Sequence, residues 1–480
     1  MTETPLPEKL LVALANVADA TADAVVEALA AHVMERRSLR GIPDADRRDA
    51  LFPELLREMR RDTGDVEIHG EVRQFLLAGQ EIDGVMDKGL VRHAQTFFGE
   101  HGVAIIAALF HASLPEAYLG RRGVQALDMT GELVRNWTRR LQDPGQFLIN
   151  VMSPAPYLMR LDDSTSLSAG RFGAVAIRRV RLTHAAVRWL LRAPHVGPLD
   201  LLMLAGHTPE PPTRWEARMI EMGEDEQPLP IAEEGAEEGA PPPADSPAEA
   251  PAPRVKSQPL NQEDLLATLG TFTTVTFDAL EKLAVPLDEH DKKAFYHLWN
   301  VVAWHLGIGD SQALAGIEPG RTSVWPVNKL LPLGVEEMDS LYRSLAQRLQ
   351  APTEQGRRLA KTLVQELTYP LPRPLQGAPE FIVRYFVGDG HADALDIGRG
   401  GYAELLIRHT GALDRVARRA PSSLVGRLTF RPISQVVTRY ALRAFVAQSR
   451  GRGSGVTIEP GIASGWGIDM GSEVGSPLRA

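Results

Sequence analysis

The amino-acid sequence predicts an all-α fold, and three observations carry that expectation. Apolar residues recur at helical spacing along most of the 480-residue chain. Ala, Leu, Arg and Glu, which favour helices, are plentiful, while aromatics make up only 6%. No convincing run of alternating apolar and polar residues marks a strand. The length suits one large domain or roughly two to three ordinary ones, with a sizeable core.

Residues 8–37 alternate short apolar clusters with polar ones, as a helix requires. Residues 44–78 carry two helical stretches, around Phe52-Pro53 and from Val72 to Leu77. The next helix is expected over 81–112, with Ile82, Val85, Met86, Leu90 and Val91 set among Asp83, Asp87 and Arg92, followed by the apolar run Val103 to Phe110. Residues 123–141 and 145–152 are helical, and Asp143-Pro144 between them reads as an N-cap followed by Pro at the first helical position. Residues 174–193 form a helix on the spacing Val180, His184, Val187, Leu191. Asn261-Gln262-Glu263-Asp264 supplies an N-cap and an acidic first turn to the helix that carries Leu265, Leu269, Phe272, Phe277 and Leu280. Asp288 caps the next one, which carries Phe295, Leu298, Trp299 and Val302 and stops at Gly307. Further helices are expected at 334–349, 353–368, 401–418 and 434–449. Residues 451–480 are Gly-rich and poorly patterned, so a loop or tail is expected there.

Charge divides the chain. The formal net charge is −9, yet ten acids and no Lys or Arg fall between Glu221 and Pro253, so the remainder stands at −9 + 10 = +1. The same stretch holds eight prolines among Glu, Ala and Gly. Such a composition cannot bury enough apolar surface to offset chain entropy. A disordered acidic Pro-rich insert over 222–258 is therefore expected, either a tether for a protein partner or a tolerated surface insertion. It splits the chain into an N-terminal helical extension (1–79), a first core part (80–221), a second core part (259–450) and the tail (451–480). Nucleic-acid binding driven by global charge is disfavoured. The N-terminus lacks the basic region and cleavage site of a signal peptide, and no apolar run reaches the ~20 residues of a spanning helix. The expectation is a cytoplasmic protein with no integral membrane segment.

Cysteine is absent, which excludes disulfides, a Cys-zinc site, a thiol nucleophile, Cys-held iron–sulfur clusters and thiolate-ligated haem. There is no HExxH helix, no Walker A loop and no GxSxG elbow, and none of the 13 His has an acid three residues before it. Gly398-Arg399-Gly400-Gly401-Tyr402-Ala403 fits GxGxxA but follows no apolar strand, so it reads as a turn.

The helix around His184 is the most informative stretch. On a helix Arg181, His184 and Arg188 share a stripe, flanked by Val180, Val187 and Leu191. A neutral imidazole in an apolar frame between two guanidiniums suits a haem, whose iron takes the imidazole and whose propionates take the arginines. The alternative is a hydrogen-bonded core His with the arginines on a solvated edge.

Three segments, RVRLTHAAVR, PLNQEDLLATLGTFTTVTFDALEKLAVPL and YHLWNVVAWHLGI, resemble the latex-clearing protein (rubber oxygenase) family, which includes the oxygenase of mycophenolic acid synthesis. HASLPEAYLGRRGVQAL, GELVRNWTRRLQDPGQFLINVM and EIDGVMD are similar to it as well, so the resemblance runs from about 80 to 310. It implies a globin-like helical core with additional N- and C-terminal helices, a b-type haem (iron) and dioxygen chemistry on an isoprenoid or similar apolar chain. His184 falls on the proximal iron ligand, Arg181 and Arg188 on its flanking arginines, and Arg140 on the Arg that opens the distal Arg-x-x-Lys-Thr element. Asp143 and Pro144 stand where that element has Lys and Thr, so the distal pocket departs from the family's pattern.

The resulting expectation is a haem b-dependent oxygenase of a hydrophobic small molecule and O2, oxidising or cleaving a C=C bond. His184 is its metal ligand, Arg181 and Arg188 bind the cofactor, and Arg140 and Asp143 are the candidate catalytic residues. A non-catalytic haem sensor or carrier, and a haem-free helical interaction protein, are the alternatives. Asp128 and Glu132 are further candidates for a distal base, and His111 for a pocket residue. His297 and His305 form a weak metal signal, and Trp299 and Trp304 read as core.

Overall fold

A computed structural model describes residues 8–37, 43–61, 67–77, 87–131, 137–153, 173–195, 212–223, 227–228, 254–255, 257–309, 333–401, 431–452, 458 and 460–468. Helices dominate them. In order they are α1 (Glu8–Leu14), α2 (Ala20–Arg37), α3 (Asp44–Met59), α4 (Gly70–Leu77), α5 (Lys88–Ala108), α6 (Arg121–Gly131), α7 (Trp137–Met152), α8 (Ala174–Leu191) and α9 (Arg214–Glu221). The second half adds α10 (Gln262–Gly270), α11 (Thr276–Lys282), α12 (Glu289–His305), α13 (Val335–Leu349), α14 (Glu354–Thr368), α15 (Ala378–Ala394), α16 (Arg431–Arg452) and α17 (Pro460–Gly465). The fold is all-α, as expected.

The central element is α5. It packs against α12 and α16, and from Gly102 to Ala108 every residue is buried. That is why its sequence loses helical amphipathicity there: a helix surrounded on all sides is apolar on all sides. By length and composition Lys88–Ala117 could cross a membrane, but 83% of its apolar window is covered by the rest of the protein. The helix begins later than expected, at Lys88, where Asp87 accepts from the amides of Gly89 (2.7 Å) and Leu90 (3.1 Å). Residues 81–86 lie outside the described residues.

At its far end α5 passes through a π turn, Leu109–Ser113, into a last helical turn, Leu114–Ala117. A second π turn, Thr271–Val275, joins α10 to α11 and packs against the first. There the Thr276 hydroxyl donates to the Thr271 carbonyl, satisfying a backbone group that the wider turn leaves without its usual partner.

The Asn261–Asp264 segment does more than cap α10. Asn261 accepts from the Asp264 amide at 2.9 Å. Gln262 donates to the Gly307 carbonyl and accepts from the Gly309 amide, tying α10 to the end of α12. Glu263, wholly buried, takes Arg122 of α6 and Arg348 of α13. Asp288 forms a reciprocal cap with Asp291.

A second core joins the N-terminal helices to α8. Val26, Leu29 and Val33 of α2, Leu51, Phe52 and Leu55 of α3, and Val72 and Leu76 of α4 close over Leu182, Ala185, Ala186 and Leu190. The region expected as an extension therefore packs directly on the His184 helix.

Several expectations are corrected. Asp143-Pro144 lies inside α7 rather than at a helix start. As the eighth residue of α7, Pro144 forgoes the backbone hydrogen bond to the carbonyl four residues earlier. The Gly-rich tail contains α17, and Ile458, Ile462, Ala463, Trp466 and Ile468 are buried in the main core. Trp466 meets Phe98 edge-on and donates its indole N–H to the Gly99 carbonyl at 3.0 Å. Helices α9 and α15 were not anticipated. Within the expected insert, Gln227-Pro228 pairs antiparallel with Arg254-Val255, and the Ser257 carbonyl accepts the Trp215 indole N–H. Residues 224–226, 229–253 and 256, and nearly all of the helix expected at 401–418, lie outside the described residues.

Candidate functional site

Helix α8 positions the candidate site. Its stripe Ile177, His184 and Leu191 recurs every seven residues. Ile177 belongs to the main core, and Leu191 packs with Ala126, Trp215 and Met219. The helix also packs against α7 and α12. His184 lies deep in this junction, and the residue as a whole is only partly buried. Its Nδ1 is sealed without a hydrogen-bond partner. Desolvation holds its pKa down at about 4, helped by the Arg188 charge and opposed by Asp19. The imidazole is thus neutral at neutral pH and keeps a lone pair free for iron.

The arginines on either side are committed elsewhere. Arg181 is 1% exposed and grips Asp19 with two bonds, Nε to Oδ2 at 2.5 Å and Nη2 to Oδ1 at 2.9 Å. Arg188, equally buried, donates through Nε to Asp23 Oδ1 at 2.7 Å, and Arg192 binds the other oxygen of Asp23 at 2.8 Å. Both guanidiniums, expected beside the cofactor, here lock α8 to the start of α2. Burial explains it, because a guanidinium sealed from water needs a counter-charge within the chain.

Asp19 and Asp23 are the residues the sequence reading missed. Their signal was a pair of acids four apart at a helix start, on one face, with nothing near them in sequence to neutralise.

Arg181 also lies against Gly307, where a Cβ would come within 2.5 Å of the guanidinium carbon. Gly307 has φ +77°, so it serves both the close approach and the left-handed turn that ends α12. Two residues earlier, His305 is fully buried with neither ring nitrogen hydrogen-bonded. Desolvation, then the charges of Arg178 and Arg181, lower its pKa to about 3.

The remaining candidates are spread out. Asp143, expected as a catalytic residue, is exposed on α7, with its side chain 61% accessible and 4.0 Å from Arg60, the residue after α3. Arg140 lies on α7, but its side chain is outside the described residues, as is Glu132. Asp128 is buried and paired with Arg358 of α14. His111 sits in the first π turn, donates from Nδ1 to the Ala107 carbonyl at 2.9 Å, and leaves a sealed Nε2 without a partner. Desolvation lowers its pKa to about 4. His297 accepts the Asp87 amide at 2.8 Å, so the His297–His305 pair is split between a helix cap and the interior. Trp299 stacks on Phe272 in the core at 4.5 Å, as expected, while Trp304 packs against the core only partly buried. Among the described residues no three His, Asp or Glu side chains converge as a metal site. An iron here would need to be held by one imidazole and a prosthetic group.

Residues 244–419 match the family model described as "ER-bound oxygenase mpaB/B'/Rubber oxygenase, catalytic domain". The match includes the Asn261–Asp264 segment and His305 but leaves His184 outside, so it lies further along the chain than the resemblance read from the sequence. No curated protein sequence matches the chain. A solved structure, "Structure of Latex Clearing Protein LCP in the closed state", matches at 17% identity over 89% of this chain and 91% of that one, with a TM-score of 0.52. That likeness concerns the fold. A segment of the chain thus matches the catalytic-domain model of the mpaB/B'/rubber oxygenase family, and the fold of the whole is similar to that of latex clearing protein.

Proposed function

We propose that the protein is a cytoplasmic haem b-dependent oxygenase acting on an apolar, isoprenoid-like or lipid-like small molecule, with oxidation or cleavage of a C=C bond as its chemistry. The observation that carries this reading is His184, a neutral imidazole deep in the fold with no partner on its buried Nδ1. The residues fit the group at the ligand: His184 would hold the iron. Arg181 and Arg188 would keep His184 in place through Asp19 and Asp23 rather than bind propionates. Bound haem would supply the iron at which dioxygen is activated. The chain would supply a fixed ligand and a water-poor enclosure of apolar side chains.

The test is an absorption spectrum of the purified protein, oxidised and reduced, with a pyridine haemochrome assay. The expected result is a Soret band and a b-type haemochrome, both lost in His184→Ala. Oxygen uptake with squalene as a probe then separates an oxygenase from a non-catalytic haem carrier, a reading favoured by the exposure of Asp143. A full haem load in His184→Ala refutes the ligand assignment. Spectra without a Soret band after addition of haemin refute the haem reading altogether.

A further inference from the structure

A cleft of about 490 Å3 opens beside the first π turn, between α11, α13 and α15, and none of its lining residues comes from the His184 helix. Its volume falls in the range of small-molecule sites, roughly 300–1,000 Å3. One wall is built around Glu116, whose side chain is 11% exposed. Oε1 accepts from His391 Nδ1 at 2.7 Å and Oε2 accepts from Gln350 Nε2 at 3.1 Å. Both carboxylate oxygens are therefore occupied, and the charge of Glu116 is spent on the imidazole. The hydrogen bond from His391 to Glu116 raises the imidazole's pKa, favouring the imidazolium. With Nδ1 fixed, Nε2–H is the donor left over, on the far side of the ring from Glu116.

Two more cations line the same space. Lys282 donates to the Phe386 carbonyl at 2.7 Å, which pins the ammonium and leaves its other N–H bonds available. Arg343 is exposed and has no ion-pair partner among the described residues. The opposing group is Asp278, whose carboxyl pKa is raised by burial and by the nearby Asp339 and Glu281. Both oxygens of Glu116 are turned to His391 and Gln350, and Lys282 and Arg343 set two cations against Asp278. Val275, Ala279 and Phe386 give it an apolar side.

We propose that this cleft binds a small organic anion, a carboxylate on an apolar body, with the head held by His391, Arg343 and Lys282. A ring N–H held in place from behind by Glu116 and a free guanidinium are donors suited to a carboxylate. The site does not depend on the His184 reading, and its test needs no haem.

The test is isothermal titration of the purified full chain with 4-phenylbutanoate, and with the isosteric neutral 4-phenylbutanamide. Saturable binding of the acid is expected, with the amide at least about tenfold weaker, the loss that one charge-assisted contact carries. Arg343→Ala, at an exposed position that packing does not need, is expected to weaken the acid about tenfold at unchanged thermal stability. His391→Gln should weaken it too. Equal affinity for acid and amide, an unchanged Arg343→Ala, or no saturable binding overturns the proposal and leaves the Glu116–His391 pair as a structural tie.

Discussion

Replacing Asp19 tests whether the ion pairs between α2 and α8 hold the candidate site together. Arg181 is 1% exposed and Asp19 2%, and two hydrogen bonds join them. Removing the carboxylate leaves a guanidinium with no counter-charge, a change that costs about 3–5 kcal/mol when one partner of a buried pair is lost. Asp19 has a second role, since its Oδ1 also accepts the Ala22 amide at 3.1 Å at the start of α2. Losing that cap adds about 1 kcal/mol. Asp19→Ala is therefore expected to destabilise by about 4–6 kcal/mol, and Asp19→Asn, which keeps the cap oxygen, by about 3 kcal/mol. Arg181→Met should cost less than Asp19→Ala, and the double variant Asp19→Asn/Arg181→Met should recover much of the loss, because no buried charge remains. Urea denaturation of the four proteins gives the coupling energy. A loss below about 1 kcal/mol in Asp19→Ala, the size of a solvated surface pair, would refute the argument.

Trp466→Ala is expected to cost about 3–5 kcal/mol, as for other buried aromatics, and thermal melts would show it. Gly102→Ala should destabilise as well, because a Cβ there would overlap the Trp466 ring. Excising residues 229–253 and joining the paired ends with a short turn is expected to shift stability by less than about 1 kcal/mol, since loop entropy varies slowly with length. A large drop in melting temperature would show that the insert packs on the core. Acidification should destabilise through His111 and His305, whose folded pKa values of about 4 and about 3 lie below the unfolded 6.5. Between those values the unfolded chain binds more protons, so stability falls as pH drops, by about 2 kcal/mol for each His at pH 5. His391 acts with the opposite sign, its pair with Glu116 contributing below its raised pKa and fading as pH rises through it. Melts of His111→Gln and His305→Gln across pH 5–7.5 should be flatter than those of the unmodified protein.

Helix identity was legible wherever local chemistry decides it. Asn261 and Asp288 cap the helices expected of them, because an N-cap is a contact within one turn. The start of α5 is less legible, since Asp83 and Asp87 both lie in a mixed apolar and acidic stretch, and the structure begins the helix at Lys88 under the Asp87 cap. The Gly-rich end was read as tail because Ile458, Ile462 and Trp466 are too few for a periodic pattern. Their burial comes from α5, more than 300 residues earlier in sequence, where Gly99 offers a carbonyl to the indole.

At the site the division is sharper. The sequence alone determined that α8 exists, that His184 and its two arginines share a stripe, and that no cysteine competes with the imidazole. Helical geometry fixes those facts within eighteen residues. Only the tertiary structure decided what the stripe faces. It gave Arg181 and Arg188 to Asp19 and Asp23, turned Asp143 to solvent, and left the His184 Nδ1 sealed and alone. The reason is range. A pattern in one helix specifies which side chains point together, but a buried charge takes whichever counter-charge the packing of distant helices brings within reach.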